Sequence, residues 1–504
     1  GRLFNLTNVT RTATYIVTPR AITGSCEGNP FTLTVFVNPT PVISAMSTVT
    51  CSGIPFLISP TDQVNGIVPQ STQYTWDPPT YSNVSLTGGN SGTSIGQVIG
   101  TLINATNVLQ SATYVITPRT SSNCIGTPFT AVVYVESKSK ITEMSTTVCS
   151  GIQFRVTPVN ETNGIVPLGT KYTWVLPVMG NASLTGGESI SVPQEDIFGT
   201  LYNATNKVQT AVYIITPGSE SCGSSNQFTL TVYVNSTPQI SAMSTVVCSG
   251  VTFVVSPVNQ TNGIVPDGTN YSWNIPSVSS TSLTGGQSGS GLYVTGTLLN
   301  FTNTPKSATY QVEPIAPAGS CKGGLFTVTV IVNPGAYITE MSTTVCSGVQ
   351  FDISPRNGVN GIVPDLTTYN WDIPTLSTSL TGGESNSGKP SIFGKLTNSS
   401  NVTRTAVYTV VPNVQSCETY SSFTLTVYVN PTPKISEMST VVCSGLQFEV
   451  SPTNGGTEIV PVTTRYAWEI PAVSTTSLVG GQSDSGRMSV TGILTNNTNT
   501  TRTA

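Results

Sequence analysis

The sequence predicts an all-β protein, a tandem array of antiparallel β-sandwich repeats that together form an elongated rod. Two observations lead to this prediction. A period of about 98 residues runs through the whole chain, and apolar and polar residues alternate within each period. Glycine, proline and asparagine interrupt the apolar stretches roughly every 8 to 12 residues, which is typical of short strands joined by turns.

Five tryptophans mark the period, and each follows a tyrosine by two positions. The motifs Asn-Gly-Ile-Val-Pro and Leu-Thr-Gly-Gly return at the same step, so the agreement does not rest on one residue type. The tryptophans are Trp76, Trp174, Trp273, Trp371 and Trp468. The period predicts the C-terminal part of a repeat at residues 1–38, full repeats at 39–136, 137–235, 236–334 and 335–430, and the N-terminal part of a further repeat at 431–504. Because the sequence starts and stops in mid-pattern, we expect a piece of a longer array.

Within one repeat the pattern fits seven short strands. In repeat 137–235 the segment 228–234 alternates strictly, with Phe228, Leu230, Val232 and Val234 on one face. Trp174 is predicted to fill the space between two sheets, as a tryptophan does in immunoglobulin domains, and all five tryptophans are interpreted as core residues. Tyr213 is a candidate for a tyrosine-corner contact. The predicted strands are 141–148, 154–158, 171–175, 197–202, 211–217 and 228–234, with one more near 184–187.

One family resembles this combination of motifs. In repeat 137–235 the motifs are Thr-Val-Cys-Ser-Gly around Cys149, Asn-Gly-Ile-Val-Pro from Asn163, Tyr-Thr-Trp ending at Trp174, Leu-Thr-Gly-Gly from Leu184 and Asn-Ala-Thr-Asn from Asn203. The chain resembles the PKD-like repeats of giant surface adhesins of Bacteroidota, among them the gliding-motility adhesins. The resemblance implies an immunoglobulin-like (PKD-like) sandwich, type IX secretion and display as a filament attached to the outer membrane. It supplies no catalytic residue.

Composition argues against several classes of function. Only 8% of residues are charged, the net charge is -4, and histidine is absent. Nucleic-acid binding requires clustered Lys and Arg, and no apolar run is long enough for a membrane-spanning helix. No carboxylate recurs at a fixed position after the tryptophan or after Gly-Gly, and no histidine is available as a general base, so we expect no enzyme and no cofactor. No metal site is expected either, since the acidic group Glu188, Glu195 and Asp196 occurs in one repeat only.

Ten cysteines form two periodic series. An even number at fixed spacing indicates disulfides and therefore an extracellular location, and zinc is disfavoured because the chain lacks both histidine and Cys-x-x-Cys. The first series lies in Cys-Ser-Gly motifs at Cys51, Cys149, Cys248, Cys346 and Cys443. The second consists of Cys26, Cys124, Cys222, Cys321 and Cys417.

Two pairings of these cysteines are compatible with the pattern. Within a repeat, Cys149 would bond to Cys222. In an immunoglobulin-like topology, however, Cys149 lies after the first strand and Cys222 in the last hairpin, at opposite ends of the sandwich. Those ends are roughly 25–30 Å apart, whereas a disulfide needs Cα atoms within about 7 Å. The other pairing joins consecutive repeats, and free or interchain thiols are a third alternative. The between-repeat pairs are Cys51 with Cys222, Cys149 with Cys321, and Cys248 with Cys417.

An Asn-x-Ser/Thr motif occurs in every repeat, at Asn5, Asn104, Asn203, Asn300, Asn398 and Asn496. If the source is bacterial, as the resemblance implies, turn chemistry explains it, because asparagine hydrogen-bonds its own backbone in turns. If the source is eukaryotic, it is a glycosylation motif.

Two functions follow from the sequence. The first is a passive stalk or filament of a cell-surface adhesin, whose ligand or polysaccharide is bound by a region outside residues 1–504, with self-association favoured by the weakly charged surface. The second is a multivalent carbohydrate-binding array. Outward aromatics would favour the second, and the candidates are Phe36, Tyr134, Tyr233 and Tyr428.

Overall fold

The computed structural model describes residues 1–415, 417 and 421–504. Within these residues the regular structure is β, apart from a single 3₁₀ turn at Ala318–Ser320, and no helix is long and apolar enough to cross a membrane. The chain divides into two compact units. The first contains Gly1–Gln239, Asn259–Thr269 and Ile315–Gly323, and the second contains Ile240–Val258, Asn270–Pro314 and Gly324–Ala504.

Repeat 137–235, in the first unit, shows how one sandwich is built. At the centre of its larger sheet the strand Gln209–Ser219 pairs antiparallel with Lys171–Trp174 and with Phe228–Asn235. One edge is formed by Met144–Cys149, which pairs parallel with Phe228–Asn235. The opposite edge is Ile190–Gln194. Below, the equivalents of Met144–Cys149, Lys171–Trp174 and Phe228–Asn235 in every repeat are called the cysteine strand, the tryptophan strand and the last strand.

A smaller sheet covers the other side of the core. Its middle strand Ile197–Asn203 pairs antiparallel with Gln153–Val156 and with Leu184–Gly186. Four short strands complete the repeat: Lys140–Ile141 pairs with Gly164–Ile165, and Val178–Met179 and Gly223–Ser224 add to the central strand of the larger sheet.

The other repeats use the same strand order. Residues 1–38 contain Arg11–Val17 and Phe31–Val37. Repeat 39–136 contains Val42–Ile43, Met46–Cys51, Pro55–Ile58, Gly66–Ile67, Gln73–Trp76, Thr80–Tyr81, Leu86–Gly88, Gly92–Ile95, Val98–Asn104, Gln110–Arg119 and Phe129–Glu136. Repeat 236–334 contains Gln239–Ile240, Met243–Cys248, Thr252–Val255, Gly263–Ile264, Asn270–Trp273, Ser277–Val278, Leu283–Thr284, Gly289–Gly291, Val294–Thr297, Leu299–Asn300, Lys306–Ile315 and Phe326–Asn333.

In the second unit, repeat 335–430 contains Tyr337–Ile338, Met341–Cys346, Gln350–Ile353, Gly361–Ile362, Thr368–Trp371, Thr375–Leu376, Leu380–Gly382, Asn386–Lys389, Ile392–Asn398, Arg404–Asn413 and Phe423–Asn430. Residues 431–504 contain Gln447–Val450, Tyr466–Trp468, Leu478–Gly480, Asp484–Arg487 and Val490–Asn496. No cysteine strand forms before Cys443, and Met438 is 55% exposed. In the other repeats that strand exists by pairing with a last strand, and residues 431–504 contain none.

The first predicted strand, 141–148, differs from the observed structure in two ways. It is broken after Ile141, because Lys140–Ile141 pairs with Gly164–Ile165 instead of with the larger sheet. This close pairing explains the glycine of Asn-Gly-Ile-Val-Pro: a Cβ on Gly164 would lie 2.2 Å from the carbonyl oxygen of Lys140. The remainder, Met144–Cys149, pairs parallel rather than antiparallel, which sequence alternation does not reveal because it is the same in both arrangements.

The all-β sandwich class is confirmed, and each of the four full repeats has its own core. Trp174 packs edge-on against Phe198, with ring centroids 5.6 Å apart, and its Nε1 donates to the carbonyl oxygen of Glu188 at 3.0 Å. Because the backbone rather than the side chain accepts this bond, the residue after Gly-Gly is free to vary. Trp76, Trp273 and Trp371 are also buried, whereas Trp468 is half-buried.

The tyrosine-corner expectation for Tyr213 is wrong. The hydroxyl of Tyr213 is buried and has no hydrogen-bond partner among the described residues. It lies beside the backbone of Gly187 and Gly199, where a Cβ on either glycine would be 2.9 Å from it. Burial raises the pKa of Tyr213 to about 12, so the phenol stays neutral at physiological pH. The second glycine of Leu-Thr-Gly-Gly is therefore needed for packing.

This packing predicts different effects for two glycines of the same repeat that both have positive φ. Gly187→Ala should destabilise the repeat by about 3 kcal/mol or more, from left-handed strain of about 1–2 kcal/mol and a clash with the Pro177 ring 2.7 Å away. Gly169→Ala should cost only the strain, since nothing lies within 4 Å of its Cβ position. Hydrogen exchange of the Gln209–Ser219 amides measures both effects, and equal losses would contradict the packing role.

Candidate functional site at the joints between repeats

The Cys-Ser-Gly turn fixes a cysteine at one end of each sandwich. In repeat 137–235, Cys149 ends the cysteine strand directly opposite Asn235, the end of the last strand. The N–H of Ser150 donates to the carbonyl oxygen of Asn235 at 2.9 Å, and the N–H of Gly151 donates to that of Leu201 at 2.8 Å. Gly151 has a φ of 81°, a left-handed conformation that glycine adopts without strain. The turn is thus tied to both sheets.

A buried asparagine completes the network around this turn. Asn203 is 2% exposed. Its Nδ2 donates to the carbonyl oxygens of Lys207 (2.7 Å) and Val234 (2.9 Å), and its Oδ1 accepts from the N–H and the hydroxyl of Thr205 (2.9 and 2.7 Å). Its backbone N–H donates to the Ser150 hydroxyl at 2.8 Å. The side chain has therefore used its two donors and two acceptor positions.

The Asn-x-Ser/Thr motif is thus a structural device, and it links a turn to the last strand. Asn104, Asn300 and Asn398 are equally buried and donate to the last strands of their own repeats. Glycan attachment to any of these four side chains in the folded state would break the network. The turn interpretation is supported by the threonine contacts, but the bond to the last strand, 31 residues away for Asn203, could not be read from a local motif.

Three disulfides join consecutive repeats. The bonds are Cys51–Cys222, Cys149–Cys321 and Cys248–Cys417, with Cα–Cα distances of 5.7, 5.6 and 5.6 Å. Each connects the Cys-Ser-Gly turn of one repeat to the loop between the last two strands of the next. They are the three pairs named above for the between-repeat arrangement. Cys149 does not bond to Cys222, because Cys149 lies beside the end of the last strand whereas Cys222 precedes its beginning.

The same rule accounts for the four cysteines that remain thiols, Cys26, Cys124, Cys346 and Cys443. A Cys-Ser-Gly cysteine pairs with a cysteine about 170 residues later in the chain, and a cysteine of the second series pairs with one about 170 residues earlier. For all four thiols the position of that partner falls outside residues 1–504. Cys124 is half-buried and the other three are exposed.

Around the Cys149–Cys321 bond the chain packs closely. The loop that carries Cys321 begins with the 3₁₀ turn, where Gly319 has a φ of 68° and lies against Asn235 of the preceding repeat. A Cβ on Gly319 would be 2.2 Å from the Asn235 Nδ2. The linker also contributes, since the Thr237 hydroxyl donates to the carbonyl oxygen of Ser150 at 3.2 Å. Asn235 and Cys321 are both buried as a result.

In the second unit, the Cys248–Cys417 bond is bordered by an apolar cluster. Ala336 in the linker and Val414 in the loop pack with Cys417 and against Cys248. The Ser421 hydroxyl donates to the carbonyl oxygen of Ala336 at 3.2 Å. By contrast, Cys51 and Cys222 are both half-buried. The joints therefore share a connectivity but differ in how far their disulfides are shielded from water.

The acidic side chains of the described residues do not form a metal centre. No group of three or more His, Cys, Asp or Glu among them could hold a metal ion. Asp196, in the acidic group noted above, accepts bonds from the Thr157 hydroxyl and the Arg155 guanidinium, and both hold the pKa of its carboxyl below the ordinary value. Asp196 is thus engaged by neighbouring side chains.

The repeats match a known domain family. The model of the PKD-like domain matches residues 1–41, 47–139, 146–238, 243–336 and 343–433. The chain belongs to the PKD-like domain family. Each of the last four matches contains two cysteines that are never bonded to each other, so a PKD-like domain and a disulfide-closed loop are different units of this chain.

No curated protein matches the PKD-like chain. Among solved structures, immunoglobulin domains 1–4 of Sidekick-1 are 10% identical and align over 78% of this chain and 97% of that one, with a TM-score of 0.18. Drosophila N-cadherin EC1–4 is 9% identical and aligns over 77% of this chain and 100% of that one, with a TM-score of 0.19. Three N-terminal domains of the bacteriophage RB49 Hoc protein are 12% identical and align over 56% of this chain and 95% of that one, with a TM-score of 0.25. TM-scores this low support no inference about arrangement or function.

The buried asparagine leads to a prediction. Asn203→Asp keeps the acceptor oxygen but places a carboxylate beside the carbonyl oxygens of Lys207 and Val234, which then lose their donor. We expect a loss of about 2–4 kcal/mol in the stability of repeat 137–235. Asn496→Asp is the matched control, because Asn496 donates to Thr500 but to no last strand, and should have a smaller effect. Hydrogen exchange resolved by repeat measures both, and equal effects would contradict the role of the last-strand bond.

The connectivity leads to a second prediction for this site. Digestion without reductant, after capping of free thiols, should release three linked peptide pairs, corresponding to Cys51–Cys222, Cys149–Cys321 and Cys248–Cys417. Mass spectrometry identifies the pairs, and the same digest after reduction is the control. A linked peptide that contains Cys149 and Cys222 would overturn the between-repeat connectivity.

Proposed function

We propose that this PKD-like array is the repeat region of an extracellular stalk or filament that gives a cell-surface adhesin reach and tensile strength. The observation that carries the proposal is the disulfide at successive joints, which links each sandwich covalently to the next in addition to the linker. A second connection limits rotation at a joint, and a binding module with independent sites has no need of it.

The extracellular location is supported by the same bonds, since disulfides persist in oxidising compartments and are rare in the cytosol. Attachment of the filament to an outer membrane and a part in gliding motility are finer proposals, which rest on the resemblance of the repeat motifs to surface adhesins. The surface is weakly charged, with 19 basic and 23 acidic residues in 504. Lateral self-association is therefore opposed by little electrostatic repulsion.

A carbohydrate-binding array is the second candidate, and one observation favours it. Tyr134, Tyr233 and Tyr428 each lie on the outer face of a last strand, 39%, 42% and 41% exposed. They recur with the repeat, as required for avidity. Ile331 replaces the tyrosine in repeat 236–334, and each tyrosine is one ring rather than a platform of several. The stalk is therefore the better supported function, and we propose no catalytic activity. A glycan-array screen with the whole chain tests the alternative, which positive binding would revive.

The stalk proposal predicts an elongated particle. Small-angle X-ray scattering on the oxidised chain should give a maximum dimension on the order of 200 Å, from five repeat lengths of roughly 30–45 Å each. A compact protein of this length would have a radius of gyration of only about 23 Å. Addition of reductant should broaden the distance distribution as the joints gain freedom, while circular dichroism shows that the sandwiches remain folded. A compact oxidised particle would overturn the proposal.

A further inference from the structure

We propose that the disulfides and the two edge-paired strands of each repeat form two interleaved covalent paths, which carry tension past the rest of each sandwich and limit how far the protein can be stretched. The inference deepens the proposed function and relies on it only for the assumption that tension is applied. It rests on the three disulfides, on the positions of the cysteines relative to the strands, and on the parallel pairing of those strands.

The first path can be traced residue by residue. From Cys51 it crosses a disulfide to Cys222, which stands just before the last strand of repeat 137–235. It follows that strand, Phe228–Asn235, and the linker, and then the cysteine strand Met243–Cys248 of the next repeat. At Cys248 a second disulfide takes it to Cys417. Between the two disulfides the path contains one last strand and one cysteine strand, together with the short strands Gly223–Ser224 and Gln239–Ile240 and the residues that connect them.

The second path is offset by one repeat. It follows the cysteine strand Met144–Cys149, crosses to Cys321 and continues along the last strand Phe326–Asn333. Repeat 137–235 is therefore crossed by both paths, by the first along its last strand and by the second along its cysteine strand. The same holds for repeat 236–334 with the two paths exchanged. Apart from the two-residue strands Gly223–Ser224 and Gln239–Ile240 on the first path, no other described strand of either repeat belongs to either path.

The parallel pairing determines how tension acts on the two neighbouring strands of a repeat. In repeat 137–235 the register runs from Met144 opposite Leu230 to Cys149 opposite Asn235, and in repeat 236–334 from Met243 opposite Val328 to Cys248 opposite Asn333. Because the strands are parallel, tension along both paths acts in the same direction on neighbouring strands. Because both strands are already extended, pulling on them can lengthen them only slightly.

The effect on extensibility is large. The route from Cys222 to Cys248 has about 26 residue steps and reaches at most roughly 90 Å. With two disulfides whose Cα atoms are 5.7 and 5.6 Å apart, Cys51 and Cys417 can be separated by only about 100 Å, even if every sandwich unfolds. Without the disulfides the same two residues could separate by about 1,200 Å. The bonds thus lower the limit about 12-fold.

Single-molecule stretching of the whole chain, held by tags at Gly1 and Ala504 and with free thiols capped beforehand, tests the paths. The loops closed by the two outer disulfides span 171 and 169 residues. The residues within these loops should add nothing to the contour length of the oxidised chain. Reduction of the disulfides should increase the contour length by on the order of 1,100 Å. If reduction adds no length, the proposal is overturned.

Double Cys→Ser variants provide a sharper test, because the three bonds overlap. Removing the central bond with Cys149→Ser and Cys321→Ser should leave the maximum length of the oxidised chain unchanged, since the shortest route does not use that bond. Removing an outer bond, with Cys51→Ser and Cys222→Ser or with Cys248→Ser and Cys417→Ser, should add about 500 Å, because the route must then pass back through part of a sandwich. All three variants remove one disulfide, so each is a control for the others.

Equal lengthening by the central and outer variants would overturn the interleaved paths. This outcome is distinguishable from failure of the stalk proposal. Scattering that shows a compact particle would refute the stalk while leaving the covalent paths intact. An elongated particle whose length responds equally to all three variants would refute the paths and leave the stalk standing.

Discussion

The parallel pairing of the cysteine strand with the last strand is the constraint on which the joints depend. It places Cys149 beside Asn235, at the end of the sandwich from which the chain leaves for the next repeat. An antiparallel partner at this edge would end at the opposite end, beside the loop that contains Cys222, and would favour a bond within the repeat. The direction of one edge strand thus decides whether the cysteines close a domain or connect two.

The pairing is maintained by polar groups that a short motif brings together. Ser150 and Gly151 use their backbone N–H groups to bind one strand of each sheet, and Asn203 reaches the last strand from the other side of the turn. A buried amide with satisfied donors and acceptors is specific in a way that an apolar contact is not, because any shift of register leaves a polar group unpaired. Register at this edge matters more than elsewhere, since a shift of one residue would carry the cysteine away from its partner.

Much of this could be predicted from the sequence, and the parts that could not have identifiable causes. Periodicity and alternation predict the sandwich and the buried tryptophans, because a pleated strand with one buried face places an apolar residue at every second position. The relative positions of Cys149 and Cys222 suffice to question a bond within the repeat. Alternation does not depend on strand direction, so the parallel edge was missed. Tyr213 was a candidate for a tyrosine-corner contact by analogy with other sandwiches, whereas its hydroxyl lies beside the backbone of Gly187 and Gly199.

Folding and covalent closure therefore operate on different lengths of chain. A core forms within about 98 residues, whereas a disulfide closes a loop of 169 to 172 residues. In the chain-entropy description a loop of that size lowers the conformational entropy of the unfolded chain by an amount worth about 5 kcal/mol. Because each loop overlaps the next, this stabilisation is shared between neighbours rather than confined to one sandwich. Ordinary tandem repeats are coupled only through their noncovalent interfaces. In this chain a repeat that loses its core remains bonded through its disulfides to the repeats before and after it. The unfolding of one repeat therefore does not release the neighbouring repeats from each other.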